Sequence, residues 1–179
     1  MRQDLTPETV RKLLNYDHET GKLFWRKRPR SMFPDLRACK IWNTKYAGKE
    51  AFTAIKGNGY RKGSIFHQSV LAHRVIWAIA YGEWPLSSID HANGDPSDNR
   101  LCNLRSATMA QNTWNSRIRC TNRSGFKGVC WFRPKQRWRA EITVHGRKVH
   151  LGYFQTPESA HAAYCAASKR LHAEYGRTK

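Results

Sequence analysis

The sequence predicts an α+β chain assembled from small modules, on three observations. Helix starts of the form Thr-Pro-Glu occur at Thr6-Pro7-Glu8 and again at Thr156-Pro157-Glu158, with threonine able to cap and proline suited to the first helical position. Short stretches of strand-type alternation are punctuated by turn sequences such as Lys56-Gly57-Asn58-Gly59 and His145-Gly146. At 179 residues, 40% hydrophobic and with seven tryptophans, the chain can bury two or three small cores without needing one large one.

The first helix follows Thr6 and runs to about Asn15, with Val10, Leu13 and Leu14 on one apolar face. Asp17 to Gly21 turns the chain into a strand at Lys22–Trp25. From Arg26 to Lys45 the pattern dissolves into basic, proline-containing sequence, read as a loop that either touches DNA or is solvated. Strands at 51–55 and 60–66 flank the glycine-rich hairpin turn. A helix spans Leu71 to Tyr81 with Val75, Ile76, Ile79 and Ala80 inward, and His73 and Arg74 at its start. His73 reads equally as a packed core histidine or as a site residue, whereas Arg74 suits a phosphate because guanidinium grips it with two parallel bonds. A further short helix begins at Thr108, whose spacing to Gln111 is that of a capping box. Asn112 and Asn115 on it are explained by solvent at least as simply as by DNA.

Residues 116–125 are polar and basic and read as a linker. Three strands follow, at 126–132, 137–144 and 148–154. In the middle one Arg137, Arg139, Glu141 and Thr143 alternate with Trp138, Ala140, Ile142 and Val144, which gives one basic face and one core face. The helix opened by Thr156 carries Ala160, Ala163, Tyr164, Ala167 and Leu171 on one stripe, small enough to lie close on a sheet. Trp138, on the inward side, belongs to the core rather than to a stacking platform.

Thirty-two Lys and Arg against thirteen Asp and Glu give a net charge of +19. Such a field draws polyanions and is shared by nucleic-acid binders, ribosomal proteins and proteins of membrane surfaces. Its distribution is uneven: residues 61–120 hold seven basic and four acidic side chains, residues 121–179 twelve and three. Five scattered cysteines without a Cys-x-x-Cys pair argue against a zinc knuckle or a disulfide framework and for a reducing, cytoplasmic setting. The start, Met1 to Asp4, has no apolar signal core, and the apolar run 75–81 is too short to span a bilayer, so no membrane partner is expected.

The most informative stretch is 89–104, Ile-Asp-His-Ala-Asn-Gly-Asp-Pro-Ser-Asp-Asn-Arg-Leu-Cys-Asn-Leu. Asp90 and Asn103 offer oxygen donors that suit a hard cation, Mg²⁺ or Mn²⁺, rather than zinc. His91 can take a proton near neutral pH. Asn93-Gly94-Asp95-Pro96 makes a turn, after which Ser97 or Asp98 is expected to cap a helix with Leu101 and Leu104 inward and Asn99 and Asn103 one turn apart.

This stretch resembles the HNH nucleases of the phage and homing type, together with Asn15–Trp25, the segment Ala72-His73-Arg74-Val75-Ile76-Trp77 and Tyr81-Gly82-Glu83-Trp84-Pro85. The resemblance covers about residues 5–115 and implies a ββα-metal core. Carried over position by position, it implies Asp90 as first metal ligand, His91 as general base, Asn99 as the amide that fixes loop and histidine, and Asn103 as second ligand where other members have histidine. It places Arg74 near the scissile phosphate and implies one Mg²⁺ or Mn²⁺ per site. Residues 124–176 are similar to the ethylene-response-factor (Apetala-type) DNA-binding domain, through Lys127-Gly128-Val129, Trp138-Arg139-Ala140-Glu141-Ile142, Leu151-Gly152-Tyr153-Phe154 and the alanine-rich helix. Cys130 and Phe132 stand where the plant domains carry arginines, so the resemblance implies the docking mode but no base preference.

The expected organisation is therefore a helix and β-rich extension (1–66), a nuclease core (67–115), a linker (116–125) and a three-stranded antiparallel sheet packed on one helix (126–179). The expected function is metal-dependent hydrolysis of double-stranded DNA by a monomer, to 5′-phosphate and 3′-hydroxyl ends. Lys127, Arg133, Lys135, Arg137, Arg139, Arg147 and Lys148 are the expected DNA contacts of the C-terminal module. The alternative is a catalytically silent DNA-binding regulator on the same scaffold.

Overall fold

The computed structural model describes residues 4–118 and 120–178. Met1, Arg2 and Gln3 of the chain start, and Arg119 within the expected linker, lie outside the described residues. The chain divides into two compact units, Met1–Ser106 and Ala107–Lys179. No helix among the described residues is long and apolar enough to cross a membrane.

In the first unit, α1 (Pro7–Leu13) starts as expected, with the Thr6 hydroxyl accepting from the Thr9 N–H and proline in the first turn. It ends two residues early. Leu14 and Tyr16 are buried on alternate positions, and this period of two draws Leu14–Asp17 into β1 instead. β1 pairs antiparallel with β2 (Lys22–Trp25), and β2 with β3 (Glu50–Ala51). The expected loop 26–45 is for the most part ordered helix: α2 (Leu36–Tyr46) begins at Asp35, whose carboxylate accepts from the Ala38 N–H. β4 (Ala54–Ile55), β5 (Arg61–Ile65) and β6 (Gln68–Leu71) form a second antiparallel sheet, whose β6 strand the sequence pattern did not reveal. The β5–β6 connection is the two-residue turn Phe66-His67, with both residues at positive φ, +49° and +63°. Bulky side chains are rare in that conformation.

α3 (Ala72–Tyr81) is capped by Gly82 at φ +80° and buries Ala72, His73, Val75, Ile76 and Ala78. Ala80, expected inward, is exposed, because Ala78 takes the inward place. β7 (Ser88–His91) pairs with β8 (Leu104–Ala107). Between them the expected helix is absent: only Leu101–Asn103 makes a single 3₁₀ turn. The reason is chemical, since the Asx side chains of this segment bond the backbone and displace the helical ladder. One core, including Val10, Leu13, Leu23, Phe52, Ile65, Val75, Ile76, Ile89 and Leu104, runs through the unit. The expected boundary at 66/67 therefore passes through the middle of a shared core.

In the second unit, α4 (Met109–Trp114) has the expected capping box, Thr108 and Gln111 each bonding the other's backbone. The segment read as a linker is tied down: Asn122 Nδ2 donates to the Phe126 carbonyl and Ser124 Oγ to the Val129 carbonyl. Trp114 stacks on His172 at 4.2 Å. β9 (Val129–Phe132), β10 (Arg137–Val144) and β11 (Arg147–Phe154) form an antiparallel sheet in the order β11–β10–β9. α5 (Pro157–Leu171), capped by Thr156 as expected, lays Ala160, Tyr164 and Ala167 on it. A Cβ at Gly128, φ +74°, would fall 2.1 Å from the Tyr164 ring, so only glycine lets helix and sheet approach there. Trp138 packs into this core with Val129, Ala140 and Ala160.

Candidate active site

The β7–β8 connection folds because its own side chains supply the hydrogen bonds that a helix or sheet would otherwise provide. Asn93 Oδ1 accepts from the Asp95 N–H, and Asp95 Oδ1 from the Ser97 N–H and hydroxyl. Asp98 takes the fork of Arg100 at 2.8 and 2.7 Å and the Asn93 amide at 2.8 Å, and these donors hold its carboxyl down at about 2. Asn103 closes the loop from its far end: Oδ1 accepts from the Asn93 N–H at 2.9 Å and Nδ2 donates to the Asp98 carbonyl at 2.8 Å.

Asp90, His91 and Asn99 are all buried, at 3%, 4% and 1% exposure. The Asn99 Oδ1 lies 3.0 Å from His91 Nε2. An amide oxygen only accepts, so this contact places the imidazole proton on Nε2 and the lone pair on Nδ1. Burial pushes the His91 pKa below its ordinary value, against the opposing pull of the Asn99 bond and nearby carboxylates. Asp90 Oδ2 meets Arg105 Nε at 2.9 Å and Nη2 at 2.8 Å. Arg105 is a residue that sequence reasoning missed; the strand alternation of 104–107, masked there by the expected helix, was the signal that could have found it.

The loop leans on the N-terminal extension. Tyr16 Oη donates to the Asn99 carbonyl at 3.2 Å and accepts from the Leu101 N–H at 3.0 Å. Gly21, at φ +71°, lets the β1–β2 turn touch the same backbone: a Cβ there would stand 2.6 Å from Arg100 N and 2.7 Å from Asn99 C. Tyr16 and Gly21 were legible only as strand and turn formers; their contact with Asn99 is a tertiary fact.

Beside His91 lie two more rings, His73 at 5.3 Å edge-on and Tyr60 at 5.6 Å. His73 is 5% exposed, its Nδ1 has no partner among the described residues, and burial lowers its pKa to about 3. The folded state thus holds His73 neutral while the unfolded chain protonates it near 6.5. Its contribution is complete above pH 6.5 and is lost as pH falls toward 3, by on the order of 2–3 kcal/mol at pH 4.5. His73→Phe should flatten the acid limb of a thermal-stability profile between pH 6.5 and 4; an unchanged limb would mean that other groups drive it.

Arg74 Nη2 donates to the Pro85 carbonyl at 3.1 Å, which ties α3 to the segment before β7. In the second unit Lys127, expected to contact DNA, is turned inward: its ammonium is half-buried, donates to the Trp114 and Ser116 carbonyls at 2.6 Å each, and has its pKa lowered by burial to about 8. Arg139 is partly neutralised by Glu141 at 3.1 Å. Arg133, Lys135, Arg137, Arg147 and Lys148 are exposed. Asn115 is a buried helix cap and Asn112 lies within α4.

Residues 70–114 match the HNH endonuclease family. Protein 3.8 of Escherichia phage T7 is 34% identical over 84 residues, which make up 46% of this chain and 69% of that protein. No solved structure matches the chain.

Proposed function

We propose, from the premise that this chain belongs to the HNH endonuclease family, that it hydrolyses phosphodiester bonds of double-stranded DNA at the Asp90–His91 loop with a divalent cation. The observation that supports this reading most is the His91 Nε2–Asn99 Oδ1 bond in a site buried and oriented by Tyr16 and Gly21. A histidine kept neutral and held in one tautomer is what a general base requires.

The Asp90 carboxylate, a hard oxygen donor on a strand end, fits Mg²⁺ or Mn²⁺, which take one or two carboxylates and complete their shell with water and phosphate. Such an ion, when bound, stabilises the charge that develops on the phosphate in the transition state. Among the described residues no group of three or more His, Cys, Asp or Glu could hold a metal, which suits this sparse mode and not a closed zinc cage. Asn103, expected as second ligand, is reassigned to holding the loop, because both ends of its carboxamide bond backbone. Arg105, paired with Oδ2, holds the Asp90 carboxylate in place. His91 Nδ1 takes a proton from the attacking water. The new P–O bond forms as the bond to the 3′ oxygen breaks, that oxygen takes a proton from solvent, and the products are a 5′-phosphate and a 3′-hydroxyl. Asn99 supports the imidazolium that results.

The second unit supplies the docking face in this reading. Its sheet covers one side with α5 and presents Arg137, Arg139, Phe132 and Tyr153 on the other, as an ethylene-response-factor type domain would. Arg137→Ala should lower the log–log salt slope of duplex binding by about one, whereas Arg139→Ala should change it less because Glu141 already neutralises part of its charge. Equal slopes for wild type and Arg137→Ala would remove the sheet from the interface.

The second reading, a silent DNA-binding scaffold, draws on the Asp90–Arg105 ion pair, which occupies Oδ2. Supercoiled plasmid separates the two. Nicking in Mg²⁺ that EDTA abolishes supports the nuclease; duplex binding with no nicking in either supports the scaffold.

A further inference from the structure

A second concave site lies in the first unit, lined by Trp25, Arg28, Trp42, Tyr46 and the Phe66-His67 turn, with a volume of about 530 Å³. This volume falls within the range of small-molecule pockets. Its walls are aromatic faces: Trp25 and Trp42 meet edge to face at 5.8 Å, and Trp42 and Tyr46 lie tilted at 5.3 Å. Arg28 is built into it. The Asn43 amide clamps the Arg28 backbone from both sides, Oδ1 accepting its N–H at 2.8 Å and Nδ2 donating to its carbonyl at 3.0 Å. That clamp sets the guanidinium 3.9 Å from the centre of the Trp42 ring and 5.0 Å from that of Trp25.

Two features of this pocket bear on what it could hold. The Arg28 Nε is buried without a hydrogen-bond partner among the described residues, a state that native proteins rarely leave uncompensated. The turn that reaches it holds Phe66 and His67 at positive φ, where Asn-Gly would be relaxed; Phe66 packs against the core, whereas the exposed His67 ring is kept there at the expense of backbone comfort. The surrounding charge is one-sided: residues 26–49 carry eight basic side chains and one acidic, Asp35.

We propose that this pocket takes an unpaired nucleobase of a DNA strand, stacked on the indole and phenol rings beside the Arg28 guanidinium. The proposal rests on the reading of the chain as a DNA-acting protein. A base inside a duplex has no free face to offer these rings, whereas one flipped out or bulged does, and its phosphates suit the basic rim. The pocket would thus favour DNA with a local unpaired position.

The test is binding of the full-length chain, in EDTA, to a duplex carrying one bulged 2-aminopurine and to the same duplex fully paired. Wild type should bind the bulged duplex about 5- to 150-fold more tightly, the range that base–aromatic stacking supplies, and should quench the 2-aminopurine emission. Tyr46→Ala and Arg28→Lys should lose the preference and keep the affinity for paired duplex, which also shows that they are folded. Equal wild-type affinity for the two duplexes, a preference that survives in both variants, or an equal loss for both duplexes in both variants would overturn the proposal. If paired duplex is bound and cut without any bulge preference, the pocket fails alone; if neither duplex is bound or cut, the nuclease reading fails with it.

Discussion

His91→Ala should lower the rate of DNA cleavage by about 10²- to 10⁴-fold, the range a general base contributes, and leave duplex affinity within a few-fold. The asymmetry follows from position. His91 is buried at 4% exposure and bonded to Asn99, so it makes no contribution to the basic surface that holds phosphates. The alanine also opens a cavity between Tyr60 and His73, and a loss of stability could be mistaken for a loss of chemistry. His91→Gln separates the two, because its amide can still donate to Asn99 Oδ1 but offers no nitrogen base. Both variants should be inactive in single-turnover nicking, with His91→Gln the more stable. Near wild-type cutting by either removes His91 from the role.

The second large effect contrasts Asp90 with Asn103, which the sequence pairs as ligands and for which we propose different roles. Asp90→Asn keeps an oxygen for Arg105 but removes the charge, and it should raise the Mg²⁺ concentration at half-maximal cleavage roughly tenfold or more. Asn103→Ala removes its bonds to the Asn93 N–H and the Asp98 carbonyl, at about 0.5–1.5 kcal/mol for each bond lost. It should lower the unfolding temperature and the maximal rate while the midpoint of the Mg²⁺ curve stays in place. A midpoint that moves with Asn103→Ala as far as with Asp90→Asn would return Asn103 to the metal.

What was legible in the sequence was whatever short-range chemistry decides. Thr6, Thr108 and Thr156 cap their helices as their spacing implies, and the alternation of 137–144 gives the sheet its two faces. The Asp90-His91 pair and the two amides were visible as a set. Their geometry was not, because Leu101 and Leu104 mimic a helical stripe while Asp98, Asn99 and Asn103 divert the backbone into a stitched loop. α2 was hidden by its many basic residues, although Pro34-Asp35 ahead of Leu36 is a helix-start signal. Arg105, Tyr16 and Gly21 act across long sequence separations, which local pattern does not carry. Lys127 shows the reverse error, a cation read as surface charge that tertiary packing turned inward.

In the mechanism proposed for this chain, water activated by His91 attacks phosphorus and expels the 3′ oxygen. The ends left by the wild-type chain on plasmid nicked in Mg²⁺ test it most directly. These ends should be 5′-phosphate and 3′-hydroxyl, so that DNA ligase reseals the nick without prior treatment by a kinase or a phosphatase. Nicks that resist ligase until a 3′-phosphate is removed, or that form equally in EDTA, would contradict it.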